Sequence, residues 1–255
     1  MQNAPAMLAQ KMMNRQAPYG PIGMVSQDMS GNKKTTQSAY PSAGYGSLSF
    51  NGTTQYLNNL TGFLPLRFET GDFTTEFWMY PIGSVAAASY VVIEIGRSTG
   101  GPGTGIQIDI VSGVIQVYYG PAISSNITGP SISGNTWYHV ALSRSAGNLK
   151  LFVNGTQAGS TVTDTTNYNQ SYLWIGAGPP GNSFYLGLIT NVRAIKGTSI
   201  YNSNFTPPTK PLTAIPDTTL LVSANATGTT ATDISPSNYT LTNVGVVPYS
   251  ATTPF

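Results

Sequence analysis

The chain has no cysteine, a single histidine and little charge, and each scarcity closes off a class of chemistry. Without cysteine in 255 residues there is no disulfide framework, no thiolate metal site and no cysteine nucleophile. The one histidine, His139, stands outside any motif from which a nucleophilic triad or a His-based metal cluster could be built. Charged residues make up only 8% of the chain, against about 25% in an average globular protein. The net charge of +2 supplies no electrostatic basis for binding nucleic acid. No apolar run approaches the ~20 residues that a membrane span requires. Met1–Leu8 leans apolar but has no basic start, so no secretory signal is expected.

What is present suits strands and turns. The 28 glycines and 18 prolines, with abundant Thr, Ser and Asn, supply tight connections, while Tyr, Phe, Val and Ile are spread widely enough to build a core. A chain of this length forms one large β-domain that needs no staple to be stable.

Residues 1–46 differ from the rest. Six of the seven methionines fall here, with Lys11, Arg15, Lys33 and Lys34 against one acid, Asp28. No periodicity persists beyond a short helical pattern over Ala6–Gln16. The segment reads as an extended arm, weakly structured alone, that orders on a partner. Met7, Met12, Met13, Met24 and Met29 suit docking into irregular apolar grooves and are its anchoring residues.

Over residues 47–255 apolar residues alternate with period two, which predicts strands with one buried face. Phe73, Thr75, Phe77 and Met79 oppose Thr74, Glu76 and Trp78. Ile106, Ile108 and Ile110 alternate with Gln107 and Asp109, and Leu149, Leu151 and Val153 with Lys150 and Phe152. Tyr138, Val140 and Leu142 alternate with His139 and Ala141, so His139 points away from the apolar side. Ser112-Gly113, Ala146-Gly147-Asn148 and Asn154-Gly155 enforce antiparallel hairpins, because Gly and Asn accept positive φ. About a dozen strands split into two packed sheets. Longer connections are expected at Ser98–Gly105, Pro121–Asn135, Asp164–Gln170 and Gly178–Ser183, where binding residues would gather.

Several strands carry recognisable wording. Gly71-Asp72-Phe73-Thr74-Thr75-Glu76-Phe77-Trp78, Trp137-Tyr138-His139-Val140-Ala141-Leu142-Ser143-Arg144, Leu149-Lys150-Leu151-Phe152-Val153-Asn154-Gly155 and Leu173-Trp174-Ile175-Gly176 resemble successive strands of laminin-G-like, concanavalin A-type domains. Residues Gly187–Pro208 resemble the closing segment of those domains. The resemblance spans about Gly46–Phe255 and implies an all-β, two-sheet antiparallel jelly-roll sandwich. The variant is similar to modules of tailed-phage virion proteins. That likeness implies a non-enzymatic decoration or adhesion module on a virion surface, present in multiple copies and held to capsid or tail proteins by its arm. The alternative is a carbohydrate-binding lectin or adhesin displayed on a cell surface or outside cells. A glycoside hydrolase is the third reading.

Hydrolysis needs two carboxyl groups in a fixed pair, yet no two of the nine acids are separated by one residue. Glu76 and Glu94 are the pair that could face each other across strands, with a solvated face as the plainer role. For glycan binding, Tyr168, Asn169, Tyr172, Asn182, Phe184 and Tyr185 offer aromatic faces beside amides in or next to loops. No cofactor is required. Calcium is the one ion weighed, with Asp109, Asp164 and Asn167 as scattered oxygen ligands.

Overall fold

The structure is a computed structural model and describes residues 25–27, 33–35, 46–62, 64–98, 103–224 and 231–255. The chain divides into two units, Met1–Ala43 and Gly44–Phe255. In the first, Val25–Gln27 (β1) and Lys33–Thr35 (β2) pair antiparallel. Sequence patterning left this hairpin unseen, because three residues per strand are too few for alternation to register. The helical stretch expected at Ala6–Gln16 and the methionines Met7, Met12, Met13, Met24 and Met29 lie outside the described residues.

The second unit is a two-sheet antiparallel sandwich, as the alternation requires. Its strands are Ser47–Asn51 (β3), Tyr56–Asn59 (β4), Phe73–Pro81 (β5), Ser89–Gly96 (β6), Thr104–Val111 (β7), Val114–Pro121 (β8), Ser125–Ser131 (β9) and Tyr138–Ser145 (β10). They continue with Asn148–Val153 (β11), Thr156–Thr163 (β12), Tyr172–Ile175 (β13), Leu186–Lys196 (β14), Thr218–Ser223 (β15), Thr232–Asp233 (β16), Thr242–Val244 (β17) and Tyr249–Ser250 (β18). One sheet has nine strands, ordered β12-β11-β10-β5-β14-β15-β16, with β3 also on β14 and β18 on β3. The other has seven, ordered β17-β4-β13-β6-β7-β8-β9. None of the described helical segments is long and apolar enough to cross a membrane.

The core lies between the sheets. Phe73, Phe77 and Met79 of β5, Val140 and Leu142 of β10, and Leu149 and Leu151 of β11 meet Ile106, Ile108 and Ile110 of β7, Ile93 and Ile95 of β6, and Leu173 and Ile175 of β13. Each set repeats every second residue, so the intervening residues stand on the two outer faces. Three hairpins fix the register. Ser112-Gly113, Ala146-Gly147 and Asn154-Gly155 have positive φ at both central positions, the backbone whose twist matches that of the strands it joins.

One expected loop is partly a strand. Within Pro121–Asn135, Ser125–Ser131 pairs with β8 as the sheet's last strand. An edge strand needs few apolar residues and tolerates proline. Here only Ile127 is buried, and Gly129 and Pro130 hid the rest from an alternation test.

The long connection from β14 to β15 seals the outer face of the nine-stranded sheet. Asn191, at a bulge in β14 with φ +54°, accepts a hydrogen bond from the Leu212 amide at 2.6 Å. Farther along, Lys150 donates to the Asn202 carbonyl at 2.7 Å, and Tyr201 and Phe205 stack on each other with centroids 3.6 Å apart.

Candidate functional site

Both outer faces carry a buried glutamate held by an arginine, but they are finished differently. On the nine-stranded sheet, Glu76 and Arg193 are directly opposed on β5 and β14, and the Arg193 guanidinium donates to Oε1 of Glu76. His139 Nε2 lies 3.0 Å from Oε2, and the Tyr201 hydroxyl donates to the same oxygen at 2.9 Å. Burial raises the Glu76 carboxyl, but the His139 hydrogen bond and the Arg193 charge outweigh it and hold the group below its usual range. Every carboxylate oxygen has a partner, and Glu76 and His139 have no accessible surface. His139 stands on the side the alternation assigned. Glu76 is locked rather than solvated.

The seven-stranded sheet is more open. Reading across it in register, one row runs Thr242, Asn58, Trp174, Glu94, Gln107, Tyr118 and Asn126. The next brings Asp109, Gln116 and Thr128 side by side. Arg97 grips Glu94 through both carboxylate oxygens. Its Nη2 also donates to Gln107 Oε1 at 2.7 Å, and Gln107 Nε2 donates to Asp109 Oδ2 at 2.6 Å. The Arg97 carbonyl accepts the Trp174 indole N–H at 3.0 Å, so the same residue steadies an aromatic wall. Burial is the main influence on both acids. It pushes Glu94 up against the pull of Arg97. Asp109 rises to about 7, with the Glu94 charge adding to burial against the Gln107 hydrogen bond and the Arg97 charge. Asp109 Oδ1 is buried and has no hydrogen-bond partner.

Toward β9 the face opens. Gln116 and Tyr118 are half-buried, and Asn126 and Thr128 are exposed. Asn126 Nδ2 and the Thr128 hydroxyl both donate to Gln116 Oε1, at 3.2 and 3.1 Å. The Gln116 oxygen is thus an acceptor shared by two neighbours on β9. Toward β4 the face is aromatic: Tyr56 lies 5.3 Å from Trp174 and 6.1 Å from Phe184, centroid to centroid.

The six sugar-contact candidates separate accordingly. Tyr172 shares the outward side of β13 with Trp174 and is half-buried, Phe184 packs on Tyr56, and Asn182 is exposed in the same loop. Asn169 is exposed in the loop before β13. Tyr168 and Tyr185 are corrected: both belong to the core, 3% and 0% exposed, and no sugar ring can reach their faces. Tyr168 bonds Asp164 at 2.9 Å, and Tyr185 packs edge-on to Phe50 and Tyr90. An aromatic next to Gly, Pro or Asn in sequence looks loop-like, yet a sandwich end needs aromatic plugs as much as a binding loop does.

The calcium candidates do not converge. Asp109 sits on the seven-stranded sheet. Both oxygens of Asp164 are engaged, by the Thr166 amide, the Arg144 guanidinium and the Tyr168 hydroxyl. Asn167 is an exposed loop residue. Among the described residues no group of three or more acids or histidines could hold a metal. Glu76 and Glu94 lie on opposite sheets, each facing outward, so they do not face each other. Sequence reasoning missed Gln107, Gln116, Tyr118 and Asn126. The outward positions of β7 and β8 were legible, but not that β9 extends the same face.

Solved structures place the fold. A candidate carbohydrate-binding protein from Bacteroides ovatus ATCC 8483 is similar with a TM-score of 0.55 and 15% identity, over 80% of this chain and 60% of that one. The chain thus spans less than two thirds of that protein. The heptameric SAP-like pentraxin of Limulus polyphemus gives 0.46 and 16% over 71% and 92% of the two chains. The CBM40 of Ruminococcus gnavus IT-sialidase, bound to α2,3 sialyllactose, gives 0.43 and 13% over 56% and 86%. At such identities the likeness is one of fold. No curated protein matches the sequence. Residues 43–199, more than half of the chain, match the family model, and the protein belongs to the concanavalin A-like lectin/glucanases superfamily.

Proposed function

We propose that this protein is a non-enzymatic carbohydrate-binding module whose ligand lies on the outer face of the seven-stranded sheet, across β7, β8 and β9. One observation carries the reading: a half-exposed Tyr118 ring stands beside the amides of Gln116 and Asn126, with the buried Gln107 opposite it on β7. An aromatic face covers the apolar side of a sugar ring while amides meet its hydroxyls. The accessible part of the face carries no net charge, which favours a neutral saccharide. Likeness in fold to a candidate carbohydrate-binding protein agrees with this.

The state of the carboxyl groups on the two outer faces supports binding without turnover. Glycoside hydrolysis needs an acid and a base or nucleophile that both reach the scissile bond. Glu94 is sealed beneath Arg97, Glu76 is sealed on the other sheet, and Asp109 is tied to Gln107. A screen of immobilised glycans tests the reading. Saturable binding that is lost in Tyr118→Ala, with an unchanged thermal unfolding curve, is the expected result. Silence across neutral glycans, or polysaccharide turnover by the wild type, overturns it.

The ligand class also bears on where the module works. Glycans face outward from cells, so we place the protein outside cells or on a cell surface. A virion surface, with anchoring through residues 1–46 and multiple copies for avidity, rests on the wording of the sequence motifs alone. Removing residues 1–46 from a particle-bound protein would release it if that setting held.

A further inference from the structure

Hydrogen-bond polarity along the seven-stranded face is fixed from one end. Arginine can only donate, so the Gln107 oxygen must face Arg97 Nη2 at 2.7 Å. The Gln107 nitrogen then faces Asp109 Oδ2 and donates to it at 2.6 Å. Asp109 Oδ2 is therefore an acceptor, and any proton on this carboxyl sits on Oδ1, the atom with neither partner nor accessible surface.

We propose that Asp109 is a positioning residue for the glycan-binding face: as a neutral acid it leaves Arg97 on Gln107, and its ionisation draws Arg97 away from Gln107 and weakens carbohydrate binding. The inference rests on the reading of the β7–β9 face as the sugar site and names its regulation.

The neighbours explain why ionisation disturbs the relay. An ionised Asp109 would place charge on a bare, buried oxygen, and an unsolvated charge is relieved only by a cation or by water. Among the described residues the charged and titratable groups on this face are Glu94 and Arg97 from the β6 side, Tyr118 on β8, Tyr172 on β13 and Tyr56 on β4. Arg97 is thus the available cation, and its Nη2 is shared between Glu94 Oε2 at 2.9 Å and Gln107 Oε1 at 2.7 Å. Drawing Arg97 toward Asp109, or admitting water between them, breaks the contact that orients Gln107. Gln107 is directly opposite Tyr118 in the ladder, so the amide most displaced is the one beside the stacking platform. Burial and the nearby Glu94 charge set the changeover near pH 7.

The test uses the full chain. Neutral oligosaccharides are arrayed at pH 6, and the best-bound one is titrated calorimetrically from pH 5.5 to 8.5. If only the neutral form binds, one-proton linkage with a midpoint of about 7 gives roughly a tenfold loss of affinity between pH 6 and 8. Asp109→Asn keeps the shape and a donor but cannot ionise, so its affinity should stay level over that range and near the acid-side value. The side-chain amide resonances of Gln107 should shift with the same midpoint as the Asp109 carboxyl carbon. Equal affinity at pH 6 and 8, or Gln107 resonances that stay still throughout, overturns the inference while leaving the sugar site intact. Absence of any bound saccharide at pH 6 refutes the site itself and the inference with it.

Discussion

Replacing Asp109 by asparagine should stabilise the fold, increasingly so as the pH rises. In the unfolded chain this carboxyl titrates near 3.8, and in the folded protein at about 7. Between those values the native state keeps a proton that the unfolded state has released. The favourable contribution is therefore fully present below pH 4 and fully lost above pH 7. At about 1.4 kcal/mol per pH unit the whole effect is roughly 4 kcal/mol, of which about 3 kcal/mol falls between pH 5 and 8. The group is only 7% exposed, so solvent screening takes little from that figure. Asparagine retains the acceptor for Gln107 Nε2 and has no proton to lose. Urea unfolding of the two proteins at pH 5, 6, 7 and 8 isolates the difference, because every other titrating group is common to both. With a slope of about 2 kcal/mol per molar urea, the gap between the midpoints should widen by about 1.5 M from pH 5 to 8. Two curves that run parallel across this range would show that Asp109 is ionised at neutral pH, and that its burial is already compensated.

Other substitutions probe separate parts of the structure. Arg144→Met should cost about 3–5 kcal/mol: the fully buried guanidinium donates to the Glu69, Gly71 and Thr166 carbonyls and to Asp164, and its removal strands all of them. Chemical denaturation would measure this, and a loss below 1 kcal/mol would mean that water replaces the arginine. Tyr168→Ala and Tyr185→Ala should each lose about 3–5 kcal/mol of stability, whereas Tyr118→Ala should leave stability nearly unchanged and remove glycan binding. Ala146→Gly should raise stability by about 1 kcal/mol, since Ala146 has φ +47° in a turn that glycine occupies without strain. Its thermal midpoint relative to wild type checks the sign. Acidification should weaken the opposite face, because the Glu76 carboxyl is held low by His139 and Arg193 against burial. Its contribution is present above the usual carboxylate range and is lost as pH falls through the folded value, which Glu76→Gln would abolish.

Much of the sandwich was legible because period-two alternation is a one-dimensional record of which face is buried. It identified β5, β7, β10 and β11 and placed His139 and Glu76 on the outward side. The hairpins at Ser112-Gly113 and Asn154-Gly155 were legible for a related reason, since Gly and Asn mark positive φ. Edge strands were not. β9 carries one buried apolar residue, Ile127, and β12 runs largely exposed, so neither satisfies an alternation test. The site was missed for the same reason: it depends on register between β6, β7, β8 and β9, and no local pattern encodes which outward residues meet. Tyr168 and Tyr185 show the converse, where local context resembled a binding loop and tertiary packing made each a plug.

The contrast between the two outer faces gives the physical reason for placing function on one of them. Each begins with a glutamate that the sheet buries and an arginine that neutralises it, an arrangement that contributes little net stability unless its remaining oxygens are satisfied. On the nine-stranded sheet they are: Arg193 takes one oxygen of Glu76, and His139 and Tyr201 take the other. There the chain from β14 to β15 closes over the network, and Phe205 packs against Phe152 and His139. The face is packed over, although His139 Nδ1 and Trp78 Nε1 stay buried there without a partner. On the seven-stranded sheet the chain of bonds runs on through Gln107 to Asp109 and stops at an oxygen with no partner, beside a strip of amides and a tyrosine that stay within reach of solvent. The Asp109 carboxyl satisfies the buried Gln107 amide but is itself buried with one oxygen unpartnered, which is costly to the fold. A polar relay of this kind, adjoining accessible amides, is what the proposed carbohydrate-binding role of that face would use.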